Sequence, residues 1–170
     1  MDQWQNIRKA AAHRQRRLSM NNDGDDSYLA REATPQAFWE ARCVGLEGSQ
    51  VDAIFYSTGG NFHLHSYDSH VPEVREEFNR LATLLENDPF QDLDFNPGIA
   101  RALIRQGRDN LQLTLDFCRR NQMDAFWSLR MNDFHDNWYP WFYSNLKREH
   151  PDWLLFRPEP VVGPAGTQHL

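Results

Sequence analysis

No apolar run in this 170-residue chain approaches the roughly 18 to 20 residues needed to cross a bilayer, and the N-terminus carries no apolar stretch of secretory type. Neither a membrane partner nor an export signal is expected, and the location is cytoplasmic by default. Cysteine is scarce. Cys43 and Cys118 are far apart and fit no C-x-x-C pattern, which argues against a disulfide framework or a cysteine-rich metal site. Net positive charge is lacking as well: at a formal charge of −6 the body of the chain offers no general attraction to phosphate backbones, so no nucleic-acid partner is expected. The local exception is Arg8, Lys9, Arg14, Arg16 and Arg17, which with Trp4, Ile7 and Ala11 at helical spacing read either as a basic amphipathic arm or as a solvated helix leading into the first strand. What the chain does have is aromatic bulk. Six Trp and eleven Phe beside a mean hydropathy of −0.76 describe large buried anchors under a polar surface, as in a soluble globular domain.

Strand and helix signals alternate along the chain. Leu18 to Met20 is a short strand that runs into a polar loop at Asn21 to Asp26, and Thr34 followed by Pro35 is a helix start continued by Phe38, Trp39 and Arg42. Val51 to Ser57 is nearly continuously apolar, the pattern of a parallel strand covered on both faces, and ends at Thr58, Gly59, Gly60 and Asn61. Pro72 opens a second helix whose stripe is Val71, Val74, Phe78, Leu81 and Leu85. A third should start near Asn96 and Pro97 and run to Asn121 on Ile99, Leu103, Leu111, Leu115 and Cys118, with Gly107 either in register or at a break. Across Asp124 to Asn132, Ala125, Trp127, Leu129 and Met131 alternate with Phe126, Ser128, Arg130 and Asn132, giving a strand with one apolar face. Pro140 to Leu146 reads as a short helix, and 157–170 as a Pro-rich extended or disordered tail. This order implies an α/β fold with parallel strands.

In such sheets ligands bind at the carboxyl ends of the strands, and the polar clusters fall there. Asn22 and Asp23 follow the first strand, His63 and His65 the second, and Arg130, Asn132, Asp133, His135, Asp136 and Trp138 the third. Amide, carboxylate, guanidinium and indole groups together suit a sugar, and Asn22, Asp23, Arg130, Asn132, Asp133 and His135 are the expected substrate contacts. The same loops have a plainer reading as caps and turns. Asp133 and Asp136 are candidate acids, but two carboxyls on one short loop rarely straddle a glycosidic bond, and the catalytic pair stays unassigned. The His63-x-His65 spacing with His135 and Asp136 leaves a metal-dependent hydrolase as an alternative, although neither a metal nor any other cofactor is expected.

The segments RRLSMNNDGDD, TPQAFWEARCVGLEGSQVDAIFYSTGG, FWSLRMNDFHDNW and LKREHPDWLL, in that order and spacing, resemble the N-terminal part of a bacterial family of glycoside-hydrolase-like barrels known from planctomycetes. The resemblance implies a (β/α)8 TIM barrel that hydrolyses O-glycosidic bonds. A complete barrel takes roughly 250 residues, so residues 1–156 would be its first three to four βα units, inactive alone, with a non-catalytic carbohydrate- or partner-binding role as the alternative. An unclosed sheet leaves unpaired strand edges, which predicts self-association.

Overall fold

The computed structural model describes residues 3–58, 67–87, 97–129, 136 and 143–154. In chain order these form α1 (Gln3–His13), β1 (Ser19–Asn22), α2 (Asp26–Leu29), α3 (Pro35–Arg42), β2 (Ala53–Ser57), α4 (Pro72–Glu86), α5 (Pro97–Arg105), α6 (Asn110–Arg120), β3 (Asp124–Ser128) and α7 (Asn145–Glu149), with single 3-10 turns at Val44–Leu46 and Pro151–Trp153. The helix starts have local causes. Thr34 is extended and its hydroxyl accepts from the Ala37 N–H at 3.2 Å, with Pro35 as the first helical residue. Asp109 accepts from Gln112 N–H at 2.8 Å to begin α6, and Ser144 accepts from Lys147 N–H at 3.1 Å to begin α7.

The three strands make one parallel sheet in the order β1-β2-β3. Ser19 stands opposite Ala53, and Ala53 opposite Asp124, so Asn22, Tyr56 and Trp127 share one face while Asn21, Phe55 and Phe126 share the other. Asp52 ties the strand starts together: its carboxylate accepts from Arg17 N–H at 2.8 Å and its carbonyl from Asp124 N–H at 2.9 Å. Helices α3, α5 and α6 cover the first face. Phe38, Trp39, Cys43, Ile54, Tyr56, Leu103, Leu113, Phe117 and Cys118 form the core, and the Trp39 indole N–H donates to Leu113 O at 2.9 Å, so the largest buried ring brings no unpaired polar atom with it. Truncating Phe38 or Phe117, both essentially inaccessible, costs about 3–5 kcal/mol on general experience with such cores.

The expected partial TIM barrel is not what forms. Among the described residues there is a single open sheet of three strands, without the closing curvature of a barrel. Five smaller expectations also change. The third helix divides into α5 and α6 at Gly107, whose φ of +69° belongs to the left-handed region, with Arg108 N–H donating to Leu103 O at 3.0 Å. That turn resets the helical phase, so α6 buries Leu113, Thr114, Phe117 and Cys118 and leaves Leu111 and Leu115 only partly covered. Strand β3 is covered only at its start, for Trp127 is 60% and Leu129 54% exposed. Strand β2 is not sealed on both faces, since Phe55 is 37% exposed. The late helix starts at Asn145, and 140–142 lie outside the described residues. The short helix α2 arises where the sequence reads as loop, because Asp25 O accepts from Tyr28 N–H at 2.9 Å and closes a turn.

A Cβ at Gly107 would meet nothing within 4 Å, so Gly107→Ala isolates the backbone cost of a positive φ. It should destabilise the domain by about 1 kcal/mol or more, read as a lowered urea midpoint at unchanged m-value. An unchanged midpoint would mean that the α5–α6 turn does not need this conformation.

Candidate functional site

The carboxyl ends of β1 and β2 hold a polar cluster that is turned inward. Asn22 is fully buried: its amide donates to Asp26 Oδ1 at 3.0 Å and its carbonyl oxygen accepts from Gly24 N–H at 2.9 Å. Asn110, at the first turn of α6, donates to Ser27 Oγ at 2.9 Å and to Gly24 O at 3.4 Å, and its own carbonyl accepts from the Thr114 hydroxyl at 2.8 Å. These bonds fasten the loop after β1 to α6 across more than eighty residues of sequence. Asp26 has no solvent exposure, and burial pushes its carboxyl above the usual range against the weaker opposing effects of Asn22, Arg42 and Tyr56. Its Oδ2 and the Tyr56 hydroxyl face one another short of a well-formed hydrogen bond. Burial first, and then the charge of Asp26, hold the Tyr56 hydroxyl well above its ordinary value. Burial disfavours the charged carboxylate by more than the hydrogen bonds from Asn22 and the Asp26 backbone, the Arg42 charge and Tyr56 together favour it. Arg42 is committed elsewhere, pairing with Asp25 at 3.1 Å. Burial likewise raises Cys43 to about 12 and Cys118 to about 11, so neither thiol is poised as a nucleophile.

An accessible site lies elsewhere, in a cleft of about 240 Å³ between α4 and α5. Its apolar lining comes from Val74, Phe78 and Ile104, and it brings together Arg75, Arg101, Arg105 and Tyr67, with Asp68 the acidic residue among the described lining residues. Three backbone features place the guanidinium groups. Pro72 starts α4 without a side-chain cap, which brings Arg75 into the first turn, where it donates to Ser69 O at 3.0 and 2.7 Å and lies 3.7 Å from Asp68. Arg101 and Arg105 stand one helical turn apart on α5, so they project from one face. Arg101 reaches across to α4, donating to Asn79 O at 2.8 Å and Thr83 Oγ1 at 2.9 Å. Arg105 is exposed and lines the cleft without a hydrogen bond or ion pair among the described residues. The first-turn N–H groups of α4 add partial positive charge to the same wall. Such a site attracts an anion and can hold it with several charge-assisted hydrogen bonds.

Of the expected contact residues, Asn22 is consumed in the buried cluster, and Asp23 is partly exposed and accepts from Asn21 Nδ2 at 3.2 Å. Arg130, Asn132, Asp133 and His135 lie outside the described residues, as do His63, His65 and Trp138. Asp136 is held by Lys147 Nζ at 2.9 Å in a largely buried pair. No three His, Cys, Asp or Glu among the described residues come together as a metal site, and His63, His65 and His135 lie outside those residues. In the sequence the apolar stripe of α5 masks the cleft arginines. The i, i+4 pair Arg101/Arg105, following Arg75 close behind a helix-opening proline, is the signal that marks them.

The Asp26 carboxyl binds its proton more tightly folded than unfolded. Its contribution to stability is therefore fully present below the unfolded pKa, about 3.9, and is lost as pH rises through the raised folded value. Asp26→Asn keeps the acceptor for Asn22 and supplies a donor toward Tyr56. It should leave the melting temperature equal or higher at neutral pH and flatten the decline above pH 4 in thermal unfolding. A variant less stable than wild type at pH 7 would show that Asp26 is charged in the fold.

No family model matches the chain, and neither the curated proteins nor the solved structures contain a match. The resemblance to glycoside-hydrolase-like barrels is therefore not sustained: no detectable relative carries it, and an open three-stranded sheet replaces the barrel that it implied.

Proposed function

We propose that this chain is a ligand-binding domain that takes a small anionic group, a phosphate or a carboxylate, in the cleft between α4 and α5. The observation that carries this reading is the convergence of three guanidinium groups on one apolar-lined cleft in a chain of net charge −6. Most arginines of an acidic domain sit among acids. Arg14 and Arg16 pair with Asp124, Arg42 with Asp25 and Arg119 with Asp116, whereas among the described lining residues of the cleft Asp68 is the acid beside three arginines. At about 240 Å³ the cleft lies below the roughly 300 Å³ at which sites for drug-sized ligands begin, so it suits one charged headgroup and a short stem rather than a whole dinucleotide.

Titration calorimetry with inorganic phosphate, sulfate and acetate should show saturable binding that weakens as salt is added. Arg105→Ala removes a guanidinium with no structural bond among the described residues. It should weaken phosphate binding about tenfold or more, the scale of one charge-assisted hydrogen bond, without altering the melting temperature. Asp68→Asn removes the competing carboxylate and should tighten binding a few-fold. Absence of saturable binding of all three anions, or binding indifferent to both substitutions, would overturn the proposal. Preference between phosphate and acetate identifies the headgroup.

A further inference from the structure

The three guanidinium groups of the α4–α5 cleft are not equivalent as donors. Arg75 lays both Nε and Nη2 on Ser69 O, at 3.0 and 2.7 Å, with Asp68 3.7 Å away. Arg101 directs Nη2 to Asn79 O at 2.8 Å and to Thr83 Oγ1 at 2.9 Å. Each of the two parallel N–H pairs of a guanidinium that can grip two oxygens side by side uses a hydrogen of Nη2, so Arg101 has neither pair whole. Both residues therefore act on a ligand mainly through charge. Arg105 makes no hydrogen bond or ion pair among the described residues and keeps its planar fork intact.

One intact fork matches a carboxylate, whose two oxygens lie in a plane and accept two parallel N–H bonds. A phosphate monoester carries three terminal oxygens in a tetrahedral array, and a single fork serves two of them. Asp68 also lowers the positive charge of the lining, which suits a monoanion better than a dianion. The apolar lining adjoins the same donors. Val74 and Phe78 stand one turn apart on α4, and Ile104 precedes Arg105 on α5; Val74 and Ile104 are half-buried and Phe78 is buried. Hydroxyls on the stem of a ligand would lose water against these three side chains without gaining a partner from them, whereas a ring or a branched alkyl group gains by the same burial. About 240 Å³ admits a stem of that size and excludes a long acyl chain.

We infer that the ligand of this cleft is a small monocarboxylate with an apolar stem, of the benzoate or branched short-chain acid class. Arg105 grips the carboxylate, Arg75 and Arg101 hold the field around it, and Val74, Phe78 and Ile104 cover the stem. The inference rests on the anion-binding reading of the cleft and narrows it to one headgroup and one kind of stem.

NMR titrations of the full chain at constant ionic strength with acetate, benzoate, gluconate and inorganic phosphate test this. A buried CH₂ strengthens binding about fourfold, so cover over even two carbons of the ring should place benzoate tenfold or more ahead of acetate. Gluconate should bind no better than acetate, and phosphate more weakly than benzoate. Arg105→Lys keeps the charge and removes the fork, and should weaken benzoate about tenfold at an unchanged melting temperature. Val74→Thr keeps the shape and adds a hydroxyl to the lining, and should cut the benzoate advantage severalfold while acetate stays within twofold. Benzoate no tighter than acetate, gluconate equal to benzoate, or phosphate ahead of benzoate would each sink the inference and leave the anion site standing, as would full benzoate affinity in Arg105→Lys. Failure of all four anions to saturate would remove the anion site and the inference together.

Discussion

Asn110 is the residue on which the geometry of the molecule turns. A parallel sheet of three strands has little intrinsic rigidity, and its carboxyl end must be closed by connections that carry their own polar backbone. Asn110 closes it by bonding Gly24 O and Ser27 Oγ from the start of α6 and by accepting from Thr114 with its carbonyl. Asn22 and Asp26 complete the set from β1 and α2. With these groups paired, α2 is pressed onto α5, and α5 onto α4, so the cleft takes its shape from a polar knot on the other side of α5. Loss of one partner would strand the others in a place water does not reach, which is why such clusters act as a unit.

The elements that stood out in the sequence are those whose cause is local. Thr34-Pro35, Pro72 and the alternation of Asp124 to Ser128 announce themselves through capping, fixed φ and side-chain period, and the structure has a helix or strand at each. Gly107 was ambiguous for a physical reason. The apolar stripe from Ile99 to Cys118 continues on paper through a turn, because both flanking helices bury residues against one core, and periodicity does not register a change of φ. The inward turn of Asn22 was equally hidden. A polar residue beside a carboxyl end reads as a ligand contact, and only a partner eighty-eight positions away, bonded to the same loop, shows it to be internal. Closure into a barrel is a property of many strands together, and three short strands specify parallel pairing without specifying it.

Charge is distributed by role. At the amino ends of the strands Asp52 and Asp124 gather Arg14, Arg16 and Arg17, a clamp that fixes where α1 leaves the body. On the far side of α5 the balance reverses, and among the described residues a single carboxylate lines a cleft with three guanidinium groups. Positive charge at the clamp is spent on structure, and in the cleft Arg75 and Arg101 are likewise hydrogen-bonded, which leaves Arg105 as the guanidinium without a bond among the described residues. The same residue type is thus distinguished by its neighbours, not by its exposure alone.

The two thiols of the core bear on how the molecule can be followed over time. Cys43 sits just beyond the last turn of α3 and Cys118 in the last turn of α6, both sealed beneath the sheet and both reluctant to ionise. Alkylating reagents reach thiolates in water, so each sulfur reacts only after its helix lifts away. Labelling at Cys43 and at Cys118 therefore times the opening of two separate helices without any introduced probe, and equal rates at the two positions would mean that the helical layer detaches as a single unit.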